Sequence, residues 1–173
     1  FTINAKAITI PTISDKTYSG SEQGITAGTG YTYSGTVKGT NVGTYTATAV
    51  LSDKTNTKWS DETTANKTVT WKIVAYSLTN ATIANVANQT YTGSEIKPTP
   101  AVTVTLEGTR KTLIAGTDFT YSYTNNTNAR TSTSTNAPTV TINGIGNYKE
   151  TNSKKFPINA KAITIPTISD KTY

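Results

Sequence analysis

The sequence predicts an all-β chain built from two unlike sandwich modules, and three observations carry that prediction. β-branched and aromatic residues are abundant: 40 of the 173 residues are Thr and ten are Tyr, types that suit the pleated surface of a sheet. Apolar residues recur with a period of two between turns rich in Gly and Asn, and no window shows the period of 3.6 that marks a helix. The chain also repeats itself at a spacing suited to whole domains.

The repetition sets the expected boundaries. Residues 3–18 read INAKAITIPTISDKTY, and residues 158–173 read the same sixteen letters. A fainter echo lies inside: TYSGSE at 17–22 is matched by TYTGSE at 90–95. Residues 1–5 are therefore expected to be the tail of a preceding module, 6–75 a first module, 76–159 a second, and 160–173 the first strand of the next. Duplication within a longer parent protein explains such identity. The joints near 74–77 and 159–161 carry no Gly/Ser-rich spacer, which predicts a semi-rigid string. Modules strung this way are expected to unfold nearly independently under force.

Element by element, 7–13 is predicted as an opening strand, with Pro11 marking an edge or a bulge. Residues 44–52 alternate Tyr45, Ala47, Ala49 and Leu51 against Thr44, Thr46, Thr48 and Val50. Residues 68–74 place Val69, Trp71 and Ile73 on one face and close the first module. In the second module Val102, Val104 and Leu106 alternate and lead into a Glu107-Gly108 turn. Phe119, Tyr121 and Tyr123 form the inward side of a strand ending at Asn125-Asn126. Val140 and Ile142 precede a turn at 143–147, and Phe156 with Ile158 finishes the sheet. Thr between the apolar positions suits strands whose outer faces meet water.

Composition narrows the chemistry. The chain has no Cys, His or Met, so disulfides, thiol nucleophiles, imidazole bases and the usual zinc ligands are absent. A carboxylate pair is the remaining hydrolytic option, but the acids sit beside turn residues: Asp15, Asp53, Asp61-Glu62, Glu107 and Asp118. The chain is read as not an enzyme, with no cofactor and no metal site. Asp61-Glu62 lies in a loop, and no spaced run of calcium ligands surrounds it. No motif for a Lys–Asn cross-link is present.

The net charge of +6 is spread over singly placed lysines, which predicts a solvated surface and no nucleic-acid partner. No apolar run reaches the length of a membrane span, so no membrane insertion is expected in this segment. Trp71 alternates with core residues. Trp59, expected in a loop beside Lys58 and Asp61, is the candidate contact for a sugar ring. Tyr18 and Tyr91 recur at equivalent positions, which points to a shared structural role.

These motifs carry a resemblance. The second module, with TYTGSEIKPTPAVTV, LIAGTDFTYSYTNNTNA and INGIGNY, resembles bacterial immunoglobulin-like repeats of cell-surface proteins. The first, with TYSGSEQ, GTNVGTYTATAVL and TKWSDETTANKTVTWKI, is similar to a sister type that includes the MBG repeats. The resemblance covers nearly the whole chain and implies tandem immunoglobulin-like β-sandwich modules in a beaded array. It departs from the pattern at Arg130, at an enlarged 131–138 connection, and at Thr57, where an aromatic is usual. It implies a structural repeat unit of an extracellular bacterial surface fibre or adhesin stalk, projecting or spacing other domains at the cell surface. Neighbouring copies of the same modules are the implied partners. Two alternatives stay open: a module that binds cell-wall or host glycan or a host protein, and a self-assembling extracellular filament (a homo-polymer) or phage or virion decoration.

Overall fold

A computed structural model describes residues 1–166, and among them the secondary structure is all β. The N-terminal half carries β1 (Lys6–Ile8), β2 (Lys16–Thr17), β3 (Gln23–Gly24), β4 (Tyr31–Gly35), β5 (Lys38–Gly39), β6 (Gly43–Leu51), β7 (Thr57–Trp59) and β8 (Lys67–Val74). Its main sheet has the order β2-β8-β6-β4, with β2 parallel to β8 and the other pairs antiparallel. The alternation on β6 and β8 predicts the outcome correctly. Ala47, Ala49, Leu51, Val69, Trp71 and Ile73 are buried, while the intervening Thr residues of β8 are exposed.

The C-terminal half carries β9 (Tyr76–Ser77), β10 (Thr82–Ile83), β11 (Gln89–Thr90), β12 (Val102–Leu106), β13 (Thr109–Thr112), β14 (Phe119–Thr124), β15 (Thr139–Gly144), β16 (Tyr148–Lys149), β17 (Thr151–Lys155) and β18 (Ile158–Asn159). Strands β14, β15 and β17 form an antiparallel sheet. Pro157 separates β17 from β18 because it has no N–H to give to a ladder. Beyond it, β18 pairs in parallel with β11.

The two halves use one pairing scheme. The opening strand runs parallel to a short strand near the end, β1 on β7 and β9 on β16. The same hydrogen bond begins each pair: Lys6 N–H donates to the Asn56 carbonyl at 2.8 Å, and Tyr76 N–H to the Asn147 carbonyl at 3.0 Å. A further strand, β2 in the first half and β11 in the second, runs parallel to the last, and there Tyr18 N–H meets the Val74 carbonyl at 2.9 Å as Tyr91 N–H meets the Asn159 carbonyl at 2.8 Å. Tyr18 thus corresponds to Tyr91, Asn56 to Asn147, and Thr57 to Tyr148. The last correspondence gives the Thr57 departure a place: Tyr148 is the aromatic that the N-terminal half lacks.

One element belongs to the C-terminal half alone. Strands β10, β12 and β13 form a second antiparallel sheet with no counterpart before β4. The β12–β13 hairpin turns at Glu107 (φ 46°) and Gly108 (φ 81°), a pair of positive φ values that matches the twist of the flanking strands. Val102, Val104 and Leu106 point inward, as their alternation predicts.

Apolar burial forms three clusters. Ile8, Ala49, Leu51, Trp59 and Val69 centre the N-terminal half, and Val140, Phe156 and Ile158 the far end of the C-terminal half. The largest cluster runs between the halves, joining Tyr18, Trp71 and Ile73 to Leu78, Ile83, Val104, Leu106, Phe119, Ile142 and Tyr148. Each such side chain stabilises by about 1.5–3 kcal/mol when fully buried.

Three expectations need correction or relocation. The opening strand is Lys6–Ile8 rather than 7–13, because Pro11 cannot donate and the chain then crosses to the main sheet at β2. The 125–138 connection is irregular, as expected of an enlarged hairpin, but Arg130 within it bridges to Ile158 in both directions at 2.8 and 2.9 Å. Of the expected strand at 160–173, residues 160–166 carry no strand pairing, and 167–173 lie outside the described residues. No helix among the described residues is long and apolar enough to cross a membrane.

Candidate functional site at the joint between the halves

The residues singled out for ligand contact lie elsewhere than expected. Trp59 is not in a loop: it ends β7 and is fully buried. Parallel pairing with Ile8 draws it inward, its indole N–H donates to the Ala65 carbonyl at 2.7 Å, and its ring leans on Tyr31 at 5.7 Å. Lys58 pairs with Glu62, one helical-type spacing away. Asp61 accepts from Lys67 at 2.5 Å and from the Thr63 hydroxyl at 2.7 Å. The Lys67 ammonium and the Thr63 hydroxyl hold the Asp61 carboxyl at about 2, below the usual carboxylate range. The three residues are brought together, yet each is committed to a neighbour within the turn. Trp71 is also internal, stacked on Tyr45 at 4.5 Å with its N–H on the Thr36 carbonyl at 2.8 Å.

The structure instead concentrates unusual side-chain chemistry where the halves meet. Tyr18 directly follows β2, and its ring packs edge-on against Tyr148 at 5.5 Å, while Tyr76 meets the Tyr148 ring at 6.4 Å. Tyr148 of the C-terminal half thus sits between Tyr18 of the N-terminal half and Tyr76 of its own. Such edge-to-face pairs add about 0.5–1.5 kcal/mol beyond the area they bury. Lys111, from β13, places its ammonium 5.7 Å from the centroids of both Tyr18 and Tyr148 and 3.5 Å from the Tyr18 hydroxyl. Burial works against that charge, but the neighbouring Tyr148 and Tyr18 hydroxyls outweigh it and leave the Lys111 pKa above its ordinary value. A cation over two aromatic faces is a favourable arrangement.

Polar contacts fix the register of this packing. Asn147 spends all of its amide on the other half: Val42 N–H donates to its Oδ1 at 2.8 Å, and its Nδ2 donates to Asn41 Oδ1 at 3.0 Å. Its own carbonyl takes the Tyr76 N–H. The Tyr76 hydroxyl donates to the Thr105 carbonyl at 3.1 Å. At Gly20 (φ 81°) the hairpin comes so close that an added Cβ would lie 3.1 Å from Leu106 Cδ1. Beside the contact lies an open groove of about 530 Å³, lined by Ser19, Gly20, Leu106, Glu107, Arg110 and Lys111.

Among the described residues no three His, Cys, Asp or Glu side chains gather where a metal ion would need them. Of the joint residues, sequence reasoning reaches Tyr18 through its recurrence at Tyr91, whereas Tyr148 emerges only from the pairing that sets it equivalent to Thr57. It misses Asn147, Lys111 and Gly20, whose roles depend on which hairpin folds over which strand. Comparisons with family models, with curated proteins and with solved structures find no match for this chain.

Proposed function

We propose that this chain is a structural repeat unit of an extracellular bacterial surface fibre or adhesin stalk, in which immunoglobulin-like sandwich modules at 6–75 and 76–159 are strung as a semi-rigid array. The reading assigns no catalysis and makes neighbouring copies of the modules the principal partners. One observation carries it: at the joint, Tyr18, Tyr148, Lys111 and Asn147 lock one half onto the next through aromatic, cationic and hydrogen-bonded contacts. The twofold use of one pairing scheme supports it, since a chain that repeats both its sequence and its hydrogen bonds grows by addition of like units. The glycan-binding alternative loses its aromatic platform, because the faces of Trp59 are inside the N-terminal core.

Small-angle X-ray scattering on proteins of one, two and three fused periods tests this. A semi-rigid array gives a maximum dimension that rises in proportion to the number of periods. Growth closer to the square root of that number, as for beads on flexible tethers, overturns it.

A further inference from the structure

A joint needs a trailing end and a receiving face, and the two halves match in the first but differ in the second. At the trailing end, Tyr18 and Tyr91 each follow a short strand and donate their N–H to the last strand of the same half, at the Val74 and Asn159 carbonyls. The receiving faces are set by the opening ladders. Where the C-terminal half pairs Tyr76 with Tyr148, the N-terminal half pairs Lys6 with Thr57. Tyr148 offers its ring to Tyr18 at 5.5 Å, whereas the Thr57 hydroxyl is turned onto the Asp53 carbonyl of its own turn.

Both faces also carry an Asn whose carbonyl opens the ladder, Asn56 and Asn147, but the two amides serve different ends. Asp53, three positions before Asn56, takes its Nδ2 at 2.8 Å and its backbone N–H at 3.0 Å. Three positions before Asn147 stands Gly144, where an added Cβ would lie 2.7 Å from the Lys149 backbone nitrogen. With no side chain there to claim it, the Asn147 amide reaches Asn41 and Val42 of the other half. The β12–β13 hairpin completes the C-terminal face, setting Leu106 against Gly20 and the Lys111 ammonium over Tyr18. The N-terminal half has no counterpart of that hairpin.

We propose that module pairing in the array is selective: the face built from Tyr148, Asn147 and the β12–β13 hairpin takes the trailing end of an N-terminal half, and the N-terminal half offers no equivalent face to a C-terminal half. The inference rests on the array reading and refines it. A trailing Tyr91 that arrives at the face of a following N-terminal half meets Thr57 and Lys6 in place of Tyr148 and Tyr76, with Asn56 already held by Asp53. The array is then a string of locked pairs with joints of alternating stiffness. Bending concentrates at 159–161, where one period passes to the next. That joint carries no Gly/Ser-rich spacer, so it bends within a limited arc instead of swinging freely, and the array still lengthens with the number of periods.

Electron-spin-resonance distance measurement on the fusion of two periods tests the alternation. The chain has no Cys, so paired substitutions carry spin labels at the intended sites alone. Thr46→Cys and Thr120→Cys lie at exposed strand positions of the two halves. Placed in one period, they span the locked joint. Thr120→Cys in the first period with Thr46→Cys in the second spans the joint between periods. The distance distribution across the locked joint is expected to be narrow, and that between periods about twice as wide or more, as for domains without a large shared interface. Adding Asn147→Ala and Lys111→Ala is expected to widen the first and leave the second unchanged, with circular dichroism showing that the variant is folded. Equal widths in the unaltered fusion overturn the proposal, as does a folded variant whose locked joint stays narrow. Equal narrow widths would leave the array reading standing, and that reading fails separately if the scattering dimension does not grow with the number of periods.

Discussion

At the scale of single residues, the joint is written in small details that only the folded chain reveals. Gly20 and Gly93 are the clearest pair. They follow Tyr18 and Tyr91 by two positions, and both hold a left-handed backbone, φ 81° and φ 85°. Ala at either costs about 1–2 kcal/mol of backbone strain. Only at Gly20 does the new Cβ also meet a fixed neighbour, Leu106 Cδ1 at 3.1 Å, whereas Gly93 has nothing closer than the Tyr91 hydroxyl at 4.0 Å. Urea denaturation is expected to show Gly20→Ala as more destabilising than Gly93→Ala by about 1 kcal/mol or more, the usual range for overpacking. Equal losses mean that the hairpin does not press on the backbone at Gly20. The sequence shows both glycines in the same TYxG context, yet nothing local distinguishes them. The difference comes from a hairpin more than eighty positions away.

At the scale of elements, legibility follows the length of the strand. β6 and β8 are nine and eight residues long, so alternation has room to declare which face is buried, and both faces are read correctly. The β12–β13 hairpin is equally plain, because Glu107-Gly108 is a turn signal between alternating runs. β7 defeats the same reasoning. It is three residues long, its neighbours are polar, and its burial is imposed by a parallel partner some fifty positions earlier. Trp59 therefore looks like a loop aromatic in the sequence and is a core residue in the fold. Trp59→Ala is expected to cost about 3–5 kcal/mol, the range for removing a large buried aromatic. Lys58→Ala is expected to cost under about 1 kcal/mol, since it breaks only an exposed pair with Glu62. Denaturant titration separates the two. A mild effect of Trp59→Ala would return the indole to the surface and revive a ligand role for it.

At the scale of the whole molecule, composition and repetition announce an all-β chain with a recurring plan, and the structure adds how the recurrences touch. The sequence alone leads to modules that unfold almost independently, because nothing in it shows a shared core. The apolar cluster that passes from Tyr18, Trp71 and Ile73 to Leu106, Phe119 and Tyr148 changes that expectation. Unfolding either half exposes part of this cluster and strands the Asn147 contacts to Asn41 and Val42, so the halves are coupled through the surface they share. The additional β10–β12–β13 sheet is why: it supplies Leu106 and Lys111, the two side chains of the joint that the N-terminal half has no means to provide.

Both Trp residues lie in the N-terminal half, which makes equilibrium unfolding followed by two probes the most direct test of that coupling. Trp fluorescence reports Trp59 in the N-terminal core and Trp71 at the shared cluster, and far-ultraviolet circular dichroism reports the β structure of both halves. The account predicts coincident transitions for the unaltered chain, and transitions that separate when Asn147→Ala and Leu106→Ala are combined. Separate transitions in the unaltered chain would contradict it, because the joint would then hold the halves together without making them one structure.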